Sequence, residues 1–132
     1  MANLLLLIWQ LPQFIVGVIV ACFWRTEFIV NYYTQHVICF YSTKQHRGGL
    51  SLGPIVLLDR PLLTSATTAL AENTERHELG HSRQSKIFGP FYLIIIGLPS
   101  FIHKCLYDIN TGKDYYDFWT EKWADKLGGV KR

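Results

Sequence analysis

The stretch Glu72-Asn73-Thr74-Glu75-Arg76-His77-Glu78-Leu79-Gly80-His81-Ser82-Arg83-Gln84-Ser85 contains the pattern H-E-x-x-H. From Thr64 to Phe88 the sequence reads as one helix. Ala66, Leu70, Asn73, His77, His81 and Ser85 recur near a single face at three- and four-residue spacing. Ser65 or Thr67 is placed to cap its start, and Gly89-Pro90 to stop it. On such a helix the two histidines project one turn apart, and both imidazoles can reach one Zn2+ at about 2.0–2.1 Å. Glu78 then sits beside the metal, where a general base for metal-activated water belongs. The plain alternative is two surface histidines on a polar helix. The helical setting and the small Gly80 before His81 favour the metal.

Two histidines do not complete a catalytic zinc site, which usually takes three protein ligands. The third is expected downstream, where Glu121-Lys122-Trp123-Ala124-Asp125 places two carboxylates four residues apart. A helix from about Tyr115 to Leu127, ended by Gly128-Gly129, points both the same way. Glu121 is the expected third ligand. Asp125 is expected to accept a hydrogen bond from a ligating imidazole and so orient it. A solvated helix face paired with Lys122 and Lys126 is the rival reading. Tyr115, Tyr116 and His103 are the candidates for stabilising an oxyanion.

The remaining composition narrows the setting. Only 17% of the 132 residues are charged and 49% are hydrophobic, against about 25% charged in ordinary soluble domains. That balance favours membrane association or an unusually apolar core. The net charge of +3 comes from scattered lysines and arginines, so no nucleic-acid partner is expected. Cys22, Cys39 and Cys105 are odd in number and share no CxxC spacing, which argues against a disulfide framework.

Residues 4–24 carry no charge and match the roughly 20 residues of a bilayer-crossing helix. Gln10, Pro12, Gln13 and Gly17 interrupt the run, so a kink is expected. We read it as a retained N-terminal membrane anchor over residues 1–24, in preference to a buried or in-plane helix. A cleaved signal fits less well, because Met1-Ala2-Asn3 has no basic side chain. Residues 25–132 then form the second unit, placed in the cytoplasm by the basic residues that follow Trp24. Within it, Phe28–Tyr33, His36–Tyr41 and Leu50–Leu58 read as strands, the last broken by Gly53-Pro54 and therefore at an edge. A second apolar run, Phe91–Ile102, is too short to span and is split by Gly97 and Pro99. If it crossed the bilayer, Glu121 would lie on the opposite side from His77. It is therefore expected to be re-entrant, interfacial or core.

His77-Glu-Leu-Gly-His81 followed by Glu121-x-x-Ala-Asp125 resembles the gluzincin metallopeptidases. It is most similar to the membrane-embedded branch that includes the CAAX prenyl protease and the heat-shock membrane protease. It also resembles short zincin-like proteins of bacteria and phages. The resemblance covers two motifs and their helices. It implies a zinc-dependent endopeptidase with His77, His81 and Glu121 as ligands, Glu78 as catalytic base and Asp125 behind a histidine. Longer members carry more membrane helices, and Lys126 stands where many have arginine. The expected fold is α+β, a zincin-like mini-domain with a small sheet beside the HExxH helix. The expected function is hydrolysis of peptide bonds in peptide or protein substrates, at or near membrane lipid. The rival is a non-catalytic membrane module that binds zinc or a partner, with His103 or Cys105 closing the metal's fourth position.

Overall fold

The computed structural model describes residues 2–23, 26–32, 37–42, 49–59, 65–107 and 114–132. Within them the chain is α+β. Two short helices, α1 (Ala2–Trp9) and α2 (Leu11–Phe23), precede the strands β1 (Thr26–Tyr32), β2 (Val37–Ser42), β3 (Gly49–Leu52) and β4 (Ile55–Asp59). The long helix α3 (Ser65–Phe88) follows, then α4 (Leu98–Tyr107) and α5 (Trp119–Gly128). The four strands form one sheet in the order β1-β2-β4-β3. β2 runs parallel to β4, and the other two pairings are antiparallel.

The strand expected over Leu50–Leu58 is a hairpin. Gly53, at φ 66°, and Pro54 make its turn, and Leu52 pairs with Ile55. Pro54 thus needs no ladder partner, because it lies between strands rather than in one. β3 is an edge strand and β4 is interior. Ile55, Val56, Leu57 and Leu58 are all buried, as in a strand covered on both faces. Both α2 and α3 pack against the hairpin. Gly17 lets α2 approach closely, since a Cβ there would stand 3.1 Å from the Leu52 carbonyl and from Ile55 Cβ.

The single helix expected over residues 4–24 is interrupted at Gln10, and among the described residues no helix is long and apolar enough to cross a membrane. Pro12 sits in the first turn of α2, where its missing N–H leaves no bond unmade. The polar side chains turn inward. Gln10 Oε1 accepts from Ser85 Oγ at 2.8 Å, and Gln13 Nε2 donates to Ser85 Oγ and to the Gly89 carbonyl, each at 2.9 Å. The Trp9 indole donates to the Lys86 carbonyl at 3.0 Å. These bonds hold α1 and α2 on the end of α3.

The second apolar run is helical for longer than its hydropathy suggests. A wide π-turn over Leu93–Gly97 leads into α4. Leu98 N–H bonds the Leu93 carbonyl, and Pro99, which has no N–H, then enters the first turn of α4 without breaking a bond. Much of this segment's outer side is apolar and open, with Ile94 67% and Phe101 65% exposed.

Helices α3 and α5 cross at near-contact distance. A Cβ on Gly80 would overlap the Ala124 carbonyl, and one on Gly128 would overlap that of Arg76. Arg76 donates to the Gly129 carbonyl at 3.3 Å and Arg83 to that of Leu127. Two cations from α3 thereby satisfy the C-terminal end of α5. Gly129, at φ 72°, closes that end in the left-handed conformation. Glycine inside a helix ordinarily costs about 1 kcal/mol relative to alanine. Here the sign reverses: Gly80→Ala is expected to destabilise the chain by about 1–3 kcal/mol, the range for overpacking. Urea denaturation of the metal-free protein measures this, and a stabilised variant would contradict the close crossing.

Candidate metal centre

The crossing brings one carboxylate of α5 between two imidazoles of α3. His77 Nε2 lies 3.0 Å and His81 Nε2 3.2 Å from the same oxygen, Glu121 Oε2. One ligand-type atom from each residue falls within 4.8 Å of the others. All three side chains are buried, with Glu121 only 1% exposed. The imidazoles meet edge to face, 4.7 Å between ring centroids. The structure thus brings together the three residues expected to hold a metal.

Each of the three side chains is braced from behind. His77 Nδ1 lies 2.7 Å from Asp125 Oδ1. A carboxylate accepts, so a proton is on Nδ1, and a neutral imidazole would then turn its Nε2 lone pair to Glu121. Arg132 holds Asp125 through Nε at 2.8 Å and also lies over the Tyr116 ring, 3.2 Å from its centroid. Tyr116 in turn packs edge-on against His77 at 5.3 Å. His81 Nδ1 lies 2.7 Å from Gln84 Oε1. The other Glu121 oxygen, Oε1, accepts from Thr120 Oγ1 at 3.2 Å.

These contacts set up an electrostatic problem. A neutral His77 with its proton on Nδ1 would aim a lone pair at a carboxylate oxygen, with no donor between them. The gap must hold a proton or a cation. In the metal-free chain the proton takes it. Burial works against a charged His77, but the bonds to Glu121 and Asp125 and the charge of Glu78 outweigh it and raise its pKa above the ordinary 6.5. Burial likewise opposes an ionised Glu121, yet the bonds to His77 and His81 hold it well below the usual carboxylate range. A divalent cation at the same point would satisfy all three lone pairs, and two imidazoles with one carboxylate is a donor set suited to zinc.

Glu78 does not join the cluster. It is buried against the edge strand, where a Cβ on Gly49 would stand 2.8 Å from its Oε1. Burial pushes its pKa up, with His81 and His77 pulling partly back. Nearby, the Tyr92 hydroxyl donates to the Ser51 carbonyl of β3 at 3.3 Å. Burial and the charges of Glu78 and Glu121 hold the Tyr92 phenol well above its usual range, so it remains a neutral donor.

The three oxyanion candidates fall in different places. Burial, with the charges of Glu121 and Glu78, raises the pKa of the Tyr115 phenol and keeps it neutral. Tyr116 is held by Arg132 and His77. His103 donates from Nε2 to the Tyr115 carbonyl at 2.9 Å and stacks on Phe118 at 4.3 Å, bracing the 3-10 turn Tyr115–Asp117. Neither His103 nor Cys105 joins the ligand cluster among the described residues. His36 and His46 fall outside the described residues.

Arg132, Tyr92 and Gly49 stand at the site without any motif to announce them. Gln84 was closer to being legible, three residues after His81 on the same helix. No family model, curated protein or solved structure matches the chain.

Metal must displace the proton that His77 holds in the metal-free chain. A raised pKa means the imidazolium persists to higher pH than in a free histidine. Zinc affinity is therefore expected to climb by up to about tenfold per pH unit below that pKa and to level off above it. Chelator competition between pH 5.5 and 8.5 tests this, and a flat profile would contradict proton displacement.

Proposed function

We propose that the protein is a zinc-dependent metallopeptidase that hydrolyses peptide bonds at a membrane surface. The observation that carries the reading is the convergence of His77 Nε2, His81 Nε2 and Glu121 Oε2, with a buried carboxylate, Glu78, next to them. Zn2+ held by the three ligands would act as a Lewis acid and lower the pKa of water to about 7. Glu78 takes a proton from the attacking water and delivers it to the departing amine, leaving a carboxylic acid and a free amine. Its raised pKa suits this exchange, because the carboxyl can hold the proton between the two transfers. The Tyr115 phenol, neutral and within the field of both glutamates, is the candidate donor to the developing oxyanion. β3 is at the sheet edge, and its Gly49 touches Glu78. An extended peptide pairing there would pass beside the base.

The membrane part of the proposal rests on surface chemistry. Residues 1–24 and 87–102 contain no charged side chain. Leu4, Leu5, Ile8, Ile15 and Ile19 of α1 and α2 are exposed, as are Phe91, Ile94, Leu98 and Phe101. The two sets meet where Trp9 packs on Gly89. Lys86 and Lys104 flank the second segment, and the exposed Trp9 and Trp119 suit the lipid–water boundary. So large an uncharged patch fits insertion into one leaflet.

Two measurements test the chemistry. The purified chain should bind one zinc, and Glu121→Ala should lose it or bind it far more weakly. Glu78→Gln should keep the zinc and lose peptide hydrolysis by at least 100-fold, in line with loss of a general base. Full activity in Glu78→Gln would sink the mechanism. Zinc retained in full by Glu121→Ala would move the third ligand elsewhere. For the membrane, flotation with phosphatidylcholine vesicles should carry the parent upward, and Ile94→Glu with Phe101→Glu should abolish it. A parent that stays at the bottom of the gradient would remove the membrane from the proposal.

A further inference from the structure

Gln84 lies behind His81, and a chain of fixed donors and acceptors decides what it does there. Its amide is buried and makes two contacts. Nε2 donates to the Thr120 main-chain carbonyl at 3.0 Å, and Oε1 faces His81 Nδ1 at 2.7 Å. A main-chain carbonyl can only accept, so the NH2 end must point to Thr120. Oε1 is then left for His81 and can only accept. His81 must therefore carry a proton on Nδ1, and it is the Nε2 lone pair that it would offer to a metal beside Glu121. The reasoning starts from an atom whose role cannot change, so no free choice of amide or ring orientation remains.

Thr120 does a second thing from the same place. Its hydroxyl accepts from Ser100 Oγ at 2.8 Å and donates to Glu121 Oε1 at 3.2 Å. This leaves Glu121 Oε2 directed at the histidines. One fully buried residue of α5 thus orients a ligand on its own helix through its side chain, and a ligand on α3 through its main chain and Gln84.

We infer that Gln84, fixed by the Thr120 carbonyl, is the positioning residue for His81 and sets the tautomer in which this histidine binds metal. The inference rests on the proposed metal centre. It also gives the two histidines unequal support: His77 is backed by a carboxylate that Arg132 holds, and His81 by a neutral amide. Loss of such a backing group typically weakens metal binding by about 10–100-fold.

The test compares the parent with Gln84→Met, which keeps the length of the side chain and removes both bonds. Ser85→Ala is the control, since Ser85 is equally buried one residue away but bonds Gln10 and Gln13 rather than a histidine. Zinc affinity is read by chelator competition, and the His81 tautomer by 15N NMR of histidine-labelled protein. Gln84→Met should bind zinc about 10–100-fold more weakly and lose the exchange-protected His81 Nδ1–H. Ser85→Ala should keep both, even if its Tm falls by as much. Zinc binding by Gln84→Met within threefold of the parent would overturn the inference. So would a parent in which His81 carries its proton on Nε2, a reading that stands even if Gln84→Met fails to fold. A parent that binds no zinc but keeps the Nδ1 proton on His81 would sink the metal centre and leave the orientation by Gln84 standing.

Discussion

The close crossing of α3 and α5 at Gly80 and Ala124 governs the rest of the site. Helices packed through ordinary side chains lie 8–10 Å apart. At that spacing a glutamate on one would have to stretch to reach histidines on the other. Here Gly80, between the two histidines, has no side chain, and the Ala124 carbonyl occupies the space a Cβ would take. Glu121 and Asp125, one turn apart on α5, then meet His77 from two sides, one at Nε2 and the other at Nδ1. The glycine in HELGH and the alanine in EKWAD are thus parts of a single contact. Gly128 against Arg76 repeats the arrangement further along and holds the angle.

Burying this many polar groups is stable only if each is paired. The pairing around the site is nearly complete until its centre. Asp125 takes Arg132 and His77, Gln84 takes His81 and Thr120, and Thr120 takes Ser100 and Glu121. What remains is a point where acceptors face one another. A structure that satisfies its periphery and leaves lone pairs converging at the middle is organised around a positive charge. In the metal-free chain Glu121, Glu78 and Asp125 favour a proton on His77 as that charge. A divalent ion would supply it to all three groups at once.

Much of this was legible because it depends on local spacing. The four-residue interval of His77 and His81, the matching interval of Glu121 and Asp125, and the stops at Gly89-Pro90 and Gly128-Gly129 are properties of single helices. The strands β1 and β2 followed from runs of β-branched and aromatic residues. What was not legible depends on contacts between distant segments. Gly53-Pro54 looked like a flaw in one strand, and only pairing of Leu52 with Ile55 shows it to be a turn. Arg132 and Tyr92 have no signal in sequence, because what matters is the particular carboxylate or carbonyl each one reaches. Glu78 was assigned from the motif, but the glycine that makes room for it, Gly49, comes from a strand 29 residues earlier.

The N-terminal segment shows how hydropathy along a helix can conceal two different faces. Summed over residues 4–24 the apolar side chains dominate, and the run reads as uniform. Gln10 and Gln13 are nevertheless buried, and both reach Ser85, one turn beyond His81 on α3. A glutamine facing hydrocarbon would be costly, whereas Gln13 recovers much of that cost through Nε2, which bonds a buried serine and a main-chain carbonyl, although its buried Oε1 has no partner. The polar face therefore needs protein beside it, while the apolar face of the same helices stays open. The same division recurs in α4, where Ser100 turns in to Thr120 and Phe101 turns out. In both places the outward face is apolar and open, and the inward face is one or two hydrogen bonds from the His77-His81-Glu121 cluster or its helix. On the proposed membrane reading, a chain built this way would hold its chemistry at the edge of a bilayer by packing against it sideways.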